Sequence, residues 1–260
     1  MEFRGFSSAV LRTPEGDCVR IAHSAGALRG MEYGFRVSAV LACRLAEVEV
    51  PRAVGWCAPS AQYPFGAIRT TWIDGAPVST ATEAITVGRF LRDLRGIDPA
   101  AAPADVQRYG EWRQGRLDRA REGLRAVRPL VEPAVVERSA AAIEQLAADV
   151  VHVGERRIVH GDLWHGNMVD RDRRLVGVLD WEECGVGDPA ADFAGLWYLG
   201  DEWAHAVLDV VDPAPSELAR IDAWRIVREL DGAAWSQRHQ DTKELQESAA
   251  KATHVARILD

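Results

Sequence analysis

Two carboxylates and one amide, Asp162, Asn167 and Asp180, have the spacing in this sequence that most suggests chemistry. Asp162 lies in a loop after the apolar residues 158–159, and Asp180 follows the apolar run 175–179. Carboxylate and amide oxygens are ligands for hard divalent cations, and Mg²⁺ is usually held by one or two protein groups together with water and substrate phosphates. The set therefore suits a magnesium–nucleotide complex, with Asp162 as a separate carboxylate beside it.

A β-hairpin explains how two of these side chains could meet. If the polar segment 171–174 closes a four-residue loop, Asp170 faces Leu175 and Asn167 faces Val178. Because side chains alternate across a strand, Asn167 would then share a face with Asp180.

The segments HGDLWHGN, residues 160–167, and GVLDWEECGVGDPAADFAGL, residues 177–196, resemble the aminoglycoside phosphotransferase and choline-kinase-like family. The similarity is specific over residues 158–196. Within the family it is strongest to antibiotic kinases, viomycin-type phosphotransferases included.

The resemblance implies an α+β, bilobal protein-kinase-like fold and a phosphotransferase activity. It implies that Asp162 is the catalytic base and that Asn167 and Asp180 hold Mg²⁺, with ATP or GTP as co-substrate. In this role Asp162 would orient the acceptor hydroxyl and accept its proton as the new P–O bond forms.

Three further residues of this region are expected to support the loop. His160 is interpreted as structural, because the fuller ligand spacing of most zinc sites does not accompany it. Asp188 precedes Pro189 and is typical of a helix N-cap. Asp192 either braces the catalytic loop, as the resemblance implies, or favours the first turn of a helix.

The amino-terminal half departs from the family pattern, in which a strand lysine grips the nucleotide phosphates and a helix glutamate positions it. The only lysines are Lys243 and Lys251, so that lysine is absent. Arg20 occupies the equivalent strand position, where it either contacts phosphates through paired hydrogen bonds or is an exposed strand residue. Glu32 and Ser38 are the alternatives for its helix partner.

Two other segments are candidates for nucleotide binding. The loop at residues 5–8 could cover phosphates with backbone N–H groups and the hydroxyls of Ser7 and Ser8, and it leaves little room for a strand before it. The resemblance implies that adenine binds to backbone groups near Thr71 and Ile73.

Aromatic and acidic residues in the carboxy-terminal half could bind a bulky, polyhydroxylated cation. The candidates for acceptor binding are Trp164, Glu182, Glu183, Asp201 and Glu229. Core packing or solvation is the more usual role for any one of them, except that Glu182 and Glu183 follow the proposed metal ligand directly.

Composition limits the remaining possibilities. The 260 residues carry 31 basic and 39 acidic side chains, a formal net charge of −8, which gives no footprint for binding a nucleic-acid backbone. The sequence contains neither a signal peptide nor an apolar run of about 18 residues that would span a membrane. Four scattered cysteines indicate reduced thiols, so we expect a cytoplasmic protein. We expect it to be either a monomer or a homodimer.

Periodicity predicts a small β-rich part followed by a larger helical one. We expect an amino-terminal nucleotide-binding lobe over residues 1–71, a linker over 72–78 and a catalytic and acceptor-binding helical lobe over 79–260. Predicted strands cover residues 8–12, 18–22, 53–57 and 66–72, with a β-rich interval at 157–180. Predicted helices cover residues 35–46, 82–95, 105–127, 133–149 and 190–257, the last broken at 212–215.

Three functional hypotheses follow. The first is an ATP-dependent O-phosphotransferase acting on a hydroxyl of a small molecule, an antibiotic of the aminoglycoside, cyclic-peptide or macrolide type. The second is a metabolic kinase for choline, homoserine or a sugar. The third, motivated by the missing lysine, is a non-catalytic nucleotide-binding module.

Overall fold

The computed structural model describes residues 2–4, 7–104 and 106–259. Its amino-terminal part is a five-stranded antiparallel sheet in the order β1-β2-β3-β5-β4. The strands are β1 (Glu2–Arg4), β2 (Ser8–Arg12), β3 (Asp17–Ala22), β4 (Ala53–Cys57) and β5 (Ala67–Thr71). Four of them match predicted strands. The expectation of little room for a strand before the loop was wrong, because β1 pairs with β2. Gly5 and Phe6 of the predicted phosphate loop lie outside the described residues.

Helix α1 (Ala25–Leu41) connects β3 to β4 and begins ten residues before the predicted start. The Ser24 hydroxyl accepts a hydrogen bond from the Ala27 amide at 3.0 Å and caps the helix. The first part of α1 is rich in alanine and glycine, so it lacks the apolar period that identifies a helix from sequence. Its buried face nevertheless includes Met31, Phe35 and Leu41.

The remainder of the chain is mostly helical around two small sheets. The helices are α2 (Ala84–Gly96), α3 (Tyr109–Val127), α4 (Pro133–Ala148), α5 (Asp201–Val211), α6 (Pro215–Arg238) and α7 (Thr242–Ile258). The strands are β6 (Ala76–Pro77), β7 (Arg157–Val159), β8 (Met168–Arg171), β9 (Arg174–Val178) and β10 (Gly185–Gly187). The prediction for residues 190–257 was only partly right, because residues 189–199 form short 3₁₀ turns and a second break separates α6 from α7.

The carboxy-terminal core forms around α6, which packs against α3, α4 and α7. Trp224 of α6 is buried against Trp112 of α3, with ring centroids 5.5 Å apart. Strand β6 pairs with β8, so the second half of the predicted linker belongs to the sheet that carries the hairpin. Within the described residues, no helix is long and apolar enough to cross a membrane.

Candidate active site

The β8–β9 hairpin carries the segment between Asn167 and Asp180, with a register different from the predicted one. Asp170 faces Leu175 as expected, but Arg171 also pairs with Arg174, so the loop has two residues and not four. The two turn residues have φ values of 55° and 64°, as a type I′ turn requires.

A bulge shifts the rest of this hairpin. The irregularity falls between Val169 and Asp170, and Met168 pairs with Val178 where Asn167 was expected. Asn167 instead accepts a hydrogen bond from the Leu179 amide at 2.8 Å through its backbone carbonyl. Because Asp180 follows Leu179 directly, this bond places the backbone of Asp180 next to that of Asn167.

Asn167 is fixed by the loop that carries Asp162. Its Nδ2 donates to the Asp162 backbone carbonyl at 2.9 Å and to Asp162 Oδ2 at 3.1 Å. Since the amide nitrogen makes both bonds, Oδ1 of Asn167 is the atom that could ligate a cation.

Asp180 has a backbone conformation that is uncommon for a residue other than glycine, with φ 62° and ψ 65°. Its Oδ1 is buried and accepts no hydrogen bond from the residues that the structure describes. Arg20 Nη2 lies 3.6 Å from this oxygen, beyond hydrogen-bond distance. A buried carboxylate oxygen without a hydrogen bond is costly, and a bound cation would satisfy it. This oxygen and Asn167 Oδ1 form a donor set that fits magnesium.

His160 and Asp192 hold the Asp162 loop through hydrogen bonds to its backbone. The fully buried His160 ring bonds the Leu179 carbonyl through Nε2 at 2.8 Å and accepts from the Asp162 amide through Nδ1 at 3.3 Å. Asp192 accepts hydrogen bonds from the amides of His160 and Gly161, both at 2.8 Å. Burial raises the pKa of Asp192, and His160 and the two amide bonds oppose that rise.

Gly161 permits the loop to pass against the segment after Asp180. Its φ of +84° is left-handed, and a Cβ atom at this position would lie 2.2 Å from the Glu183 carbonyl oxygen. Only glycine fits both the conformation and the close approach.

Asp188 is held by a buried hydrogen-bond network. It caps a 3₁₀ turn through the Ala190 amide. Its carboxylate also accepts two bonds from Arg220 at 2.7 and 3.1 Å and one from Trp224 Nε1 at 2.8 Å. This network attaches the segment around Asp188 to α6.

Sequence reasoning missed Arg228, which contacts the candidate catalytic carboxylate. Its Nη2 lies 2.9 Å from Asp162 Oδ1, and its guanidinium lies 5.5 Å from the centre of the Tyr198 ring. Both Asp162 oxygens are therefore engaged, one by Arg228 and one by Asn167. No local motif signals this contact, because Arg228 lies in the middle of the amphipathic helix α6.

Arg20 lies at the amino-terminal side of the site. Its Nε donates to Ser8 Oγ at 3.2 Å, and its Nη2 donates to Glu182 Oε1 at 2.8 Å. Ser7 Oγ donates to the same Glu182 oxygen at 3.5 Å. Asp180 Oδ1 lies 3.6 Å from Nη2. The structure thus turns Glu182 toward the sheet, although the sequence assigned it to the acceptor.

The surroundings of Glu182 shift its pKa upward. Burial, followed by the neighbouring Asp180 carboxylate, raises the pKa of Glu182 to about 8, and Arg20 opposes the rise.

The remaining acidic candidates do not form a common wall. Glu183 pairs with Arg119 at 2.7 Å. Glu229 is buried and accepts a hydrogen bond from Tyr198 at 2.6 Å, while Asp201 is exposed in the first turn of α5. The acidic surface expected for a polyhydroxylated cation is thus largely paired within the protein or dispersed.

Trp164 is the aromatic candidate that does lie near the site. Its ring contacts His165 and Tyr198, with centroid distances of 4.8 and 6.3 Å. Because Tyr198 also contacts Arg228, these rings form an aromatic wall beside the Asp162 carboxylate.

The segment that joins the two parts gives mixed support for an adenine site. The Thr71 amide donates to the Arg52 carbonyl at 2.9 Å, so it is already used within the sheet. The Ile73 side chain is buried, and it lies close to Gly177 of β9. Of the two predicted positions, Ile73 therefore remains the better candidate.

Comparison with known proteins assigns the chain to a family. A model of the phosphotransferase enzyme family matches residues 4–230. The chain belongs to this family. Over 114 residues, this phosphotransferase-family chain is 38% identical to viomycin phosphotransferase from Streptomyces vinaceus, and the match covers 42% of this chain and 40% of that protein. The predicted resemblance is therefore confirmed.

Solved structures agree on the fold of this phosphotransferase-family chain. The structure of APH(2″)-IIIa with GDP and kanamycin has a TM-score of 0.81 at 14% identity, covering 98% of this chain and 92% of that one. Macrolide 2′-phosphotransferase MphH from Brachybacterium faecium has a TM-score of 0.66 at 21% identity, covering 94% and 87%. These similarities confirm the predicted α+β, bilobal kinase-like fold.

Proposed function

We propose that this chain transfers the γ-phosphoryl group of ATP or GTP to a hydroxyl of a small-molecule antibiotic. Membership of the phosphotransferase family supports the reaction class. The observation that carries the proposal is the contact between Asp162 and Asn167, together with a buried Asp180 oxygen that accepts no hydrogen bond from the described residues.

In the proposed reaction the acceptor oxygen forms a bond to the γ-phosphorus while the bond to the bridging oxygen of the departing nucleoside diphosphate breaks. Asp162 orients the hydroxyl and takes its proton as the new bond forms, since a carboxylate is too weak a base to remove it beforehand. Arg228 and Asn167 keep the carboxylate in one orientation for this task.

The metal role falls to Asn167 Oδ1 and Asp180. When bound there, Mg²⁺ neutralises negative charge on the nucleotide phosphates. Arg20 would add a positive charge at the same edge of the site, and Ile73 would contribute backbone groups to the base.

An antibiotic acceptor is supported by the relatives, whose names specify viomycin, an aminoglycoside complex and macrolides. The Trp164–Tyr198 wall gives this chain an aromatic surface beside Asp162 for a bulky, hydroxylated acceptor. We propose a cationic acceptor on the net charge of −8, although the local acids are largely paired.

Mass spectrometry tests the proposal directly. The protein is incubated with magnesium, ATP or GTP, and a panel of cyclic-peptide, aminoglycoside and macrolide antibiotics, with choline, homoserine and sugars as competing acceptors. We expect at least one antibiotic to gain the mass of one phosphoryl group, and Asp180→Asn to abolish the gain. The matched control Asp172→Asn, in the exposed hairpin turn, should retain it. Phosphorylation of the metabolic acceptors alone would overturn the antibiotic assignment.

A further inference from the structure

We propose that Arg20 and Glu182 form a nucleotide-phosphate clamp, in which Glu182 positions the Arg20 guanidinium that contacts the phosphates. This inference rests on the proposed use of a nucleotide. The clamp takes the place of the strand-lysine and helix-glutamate pair of the family pattern, and it moves Glu182 from the acceptor to the nucleotide side of the site.

The pair is partly buried and has a defined geometry. Side-chain exposure is 16% for Arg20 and 17% for Glu182, and their closest nitrogen and oxygen are 2.8 Å apart. Ser8 accepts from Nε of the same guanidinium at 3.2 Å. These contacts use two of the five N–H groups of the guanidinium, so N–H groups remain from which a phosphate oxygen can accept a hydrogen bond.

Helix α1 is shaped to admit Glu182 in place of a carboxylate of its own. A Cβ atom at Gly30 would lie 3.0 Å from Glu182 Oε2, and one at Gly34 would lie 3.1 Å from the Glu182 amide nitrogen. These glycines are one turn apart on the helix face that meets the Trp181–Glu183 turn. Ser38, one of the two residues considered from sequence as the helix partner of Arg20, instead donates a hydrogen bond to the Phe35 carbonyl of its own helix.

The chemistry of arginine suits this arrangement. A guanidinium can bond a positioning carboxylate through one edge and present another nitrogen to a ligand, whereas the ammonium of lysine is a compact point charge. The clamp also links the nucleotide to the metal site, because Arg20 Nη2 lies 3.6 Å from Asp180 Oδ1.

The direction in which neutralisation of Glu182 changes ATP affinity shows whether Glu182 positions Arg20 or merely lies near the phosphates. A carboxylate that merely lies near a triphosphate repels it, so its neutralisation should strengthen nucleotide binding. A carboxylate that orients the phosphate-binding arginine should do the opposite, and its effect should depend on that arginine.

The test is a double-mutant cycle on ATP affinity, measured by calorimetry without magnesium. We expect Arg20→Met and Glu182→Gln each to weaken ATP binding about tenfold or more. In the Arg20→Met background, Glu182→Gln should no longer weaken binding. Arg20→Lys keeps the charge and should also bind ATP more weakly than the wild type.

A matched ion pair on the same sheet serves as control. Arg69 pairs with Asp17 at 2.8 Å on neighbouring strands, and Arg69→Met should leave ATP affinity unchanged. Denaturation by urea identifies any variant that is unfolded. If Arg20→Met or Glu182→Gln is unfolded, the ATP affinity of Arg20→Lys is compared with that of the wild type instead. Unchanged or tighter ATP binding by Glu182→Gln would overturn the clamp. If the wild type bound neither ATP nor GTP, the proposed function itself would be overturned.

Discussion

Arg228 Nη2 lies 2.9 Å from Oδ1 of Asp162, and Asn167 Nδ2 donates to the second oxygen of the same carboxylate at 3.1 Å. One contact comes from the middle of α6 and the other from the loop itself. With an oxygen held on each side, the carboxylate has little freedom to rotate. Arg228 therefore acts on the proposed reaction through Asp162.

Replacing Arg228 should impair turnover more than nucleotide binding. We expect Arg228→Met to lower kcat by about tenfold to a hundredfold, because a small misplacement of a catalytic group is costly. The KM for ATP should change little, since the described contacts of Arg228 are with Asp162 and Tyr198. Steady-state kinetics at saturating acceptor measure both constants.

Arg225→Met is the matched control for this prediction. Arg225 lies one turn earlier on α6 and pairs with Asp222 at 3.2 Å, with its guanidinium over Trp197. Equal effects of the two substitutions on kcat would show that loss of any buried arginine on this helix, and not release of Asp162, explains the result.

Gly161 should tolerate no side chain. Gly161→Ala combines an unfavourable left-handed φ with a contact of 2.2 Å to the Glu183 carbonyl. Gly200 has a φ of +95° and a ψ of 161°, a conformation almost confined to glycine, but open space around it, so Gly200→Ala should cost about 1–3 kcal/mol. Urea denaturation should show a larger loss of stability for Gly161→Ala, and equal losses would argue against the close approach.

Asp188 should contribute to folding and not to chemistry. Both it and Arg220 are 3% exposed and are joined by two hydrogen bonds. Asp188→Ala would leave a buried guanidinium without its carboxylate, so we expect a loss of about 3–5 kcal/mol in the free energy of unfolding. A loss below about 1 kcal/mol in urea denaturation would contradict this interpretation.

Glu229 should make stability depend on pH. Burial raises the pKa of Glu229 above its ordinary value of 4.5, opposed by the Tyr198 hydrogen bond and Arg228. Below that ordinary value both states are protonated. As pH rises, the unfolded chain loses its proton first, so the stability contributed by this group falls until the raised pKa is passed.

Glu229→Gln removes the titration and keeps an acceptor for Tyr198. The decline in unfolding free energy from acidic to mildly alkaline pH should therefore be smaller in this variant than in the wild type. Glu247→Gln, on the exposed face of α7, is the control and should leave the slope unchanged. An unaltered slope in Glu229→Gln would rule out the assigned effect of burial.

Local sequence was sufficient where the site depends on neighbouring residues. The loop from Asp162 to Asn167 and the strand before Asp180 follow from short-range spacing, and in the structure Asn167 contacts Asp162 and bonds the residue before Asp180. The bulge after Val169 could not be predicted, because the pattern of apolar residues does not reveal one extra residue in a strand.

Contacts between residues far apart in the chain could not be predicted from the sequence. Arg228 reaches Asp162 only because α6 packs beneath the loop, and Glu182 reaches Arg20 only because α1 leaves space at Gly30 and Gly34. Three of the acidic side chains taken as an acceptor surface, Glu182, Glu183 and Glu229, were instead partnered by arginine or tyrosine. Such pairings depend on tertiary packing, which periodicity does not encode.

The account depends most on Asp162 as the group that receives the acceptor proton. Asp162→Asn keeps the size of the side chain and removes the carboxylate. We expect kcat to fall by about 10²–10⁴-fold, with the affinity for ATP measured by calorimetry remaining close to that of the wild type. Turnover within a few-fold of the wild type, with nucleotide binding intact, would contradict the assignment.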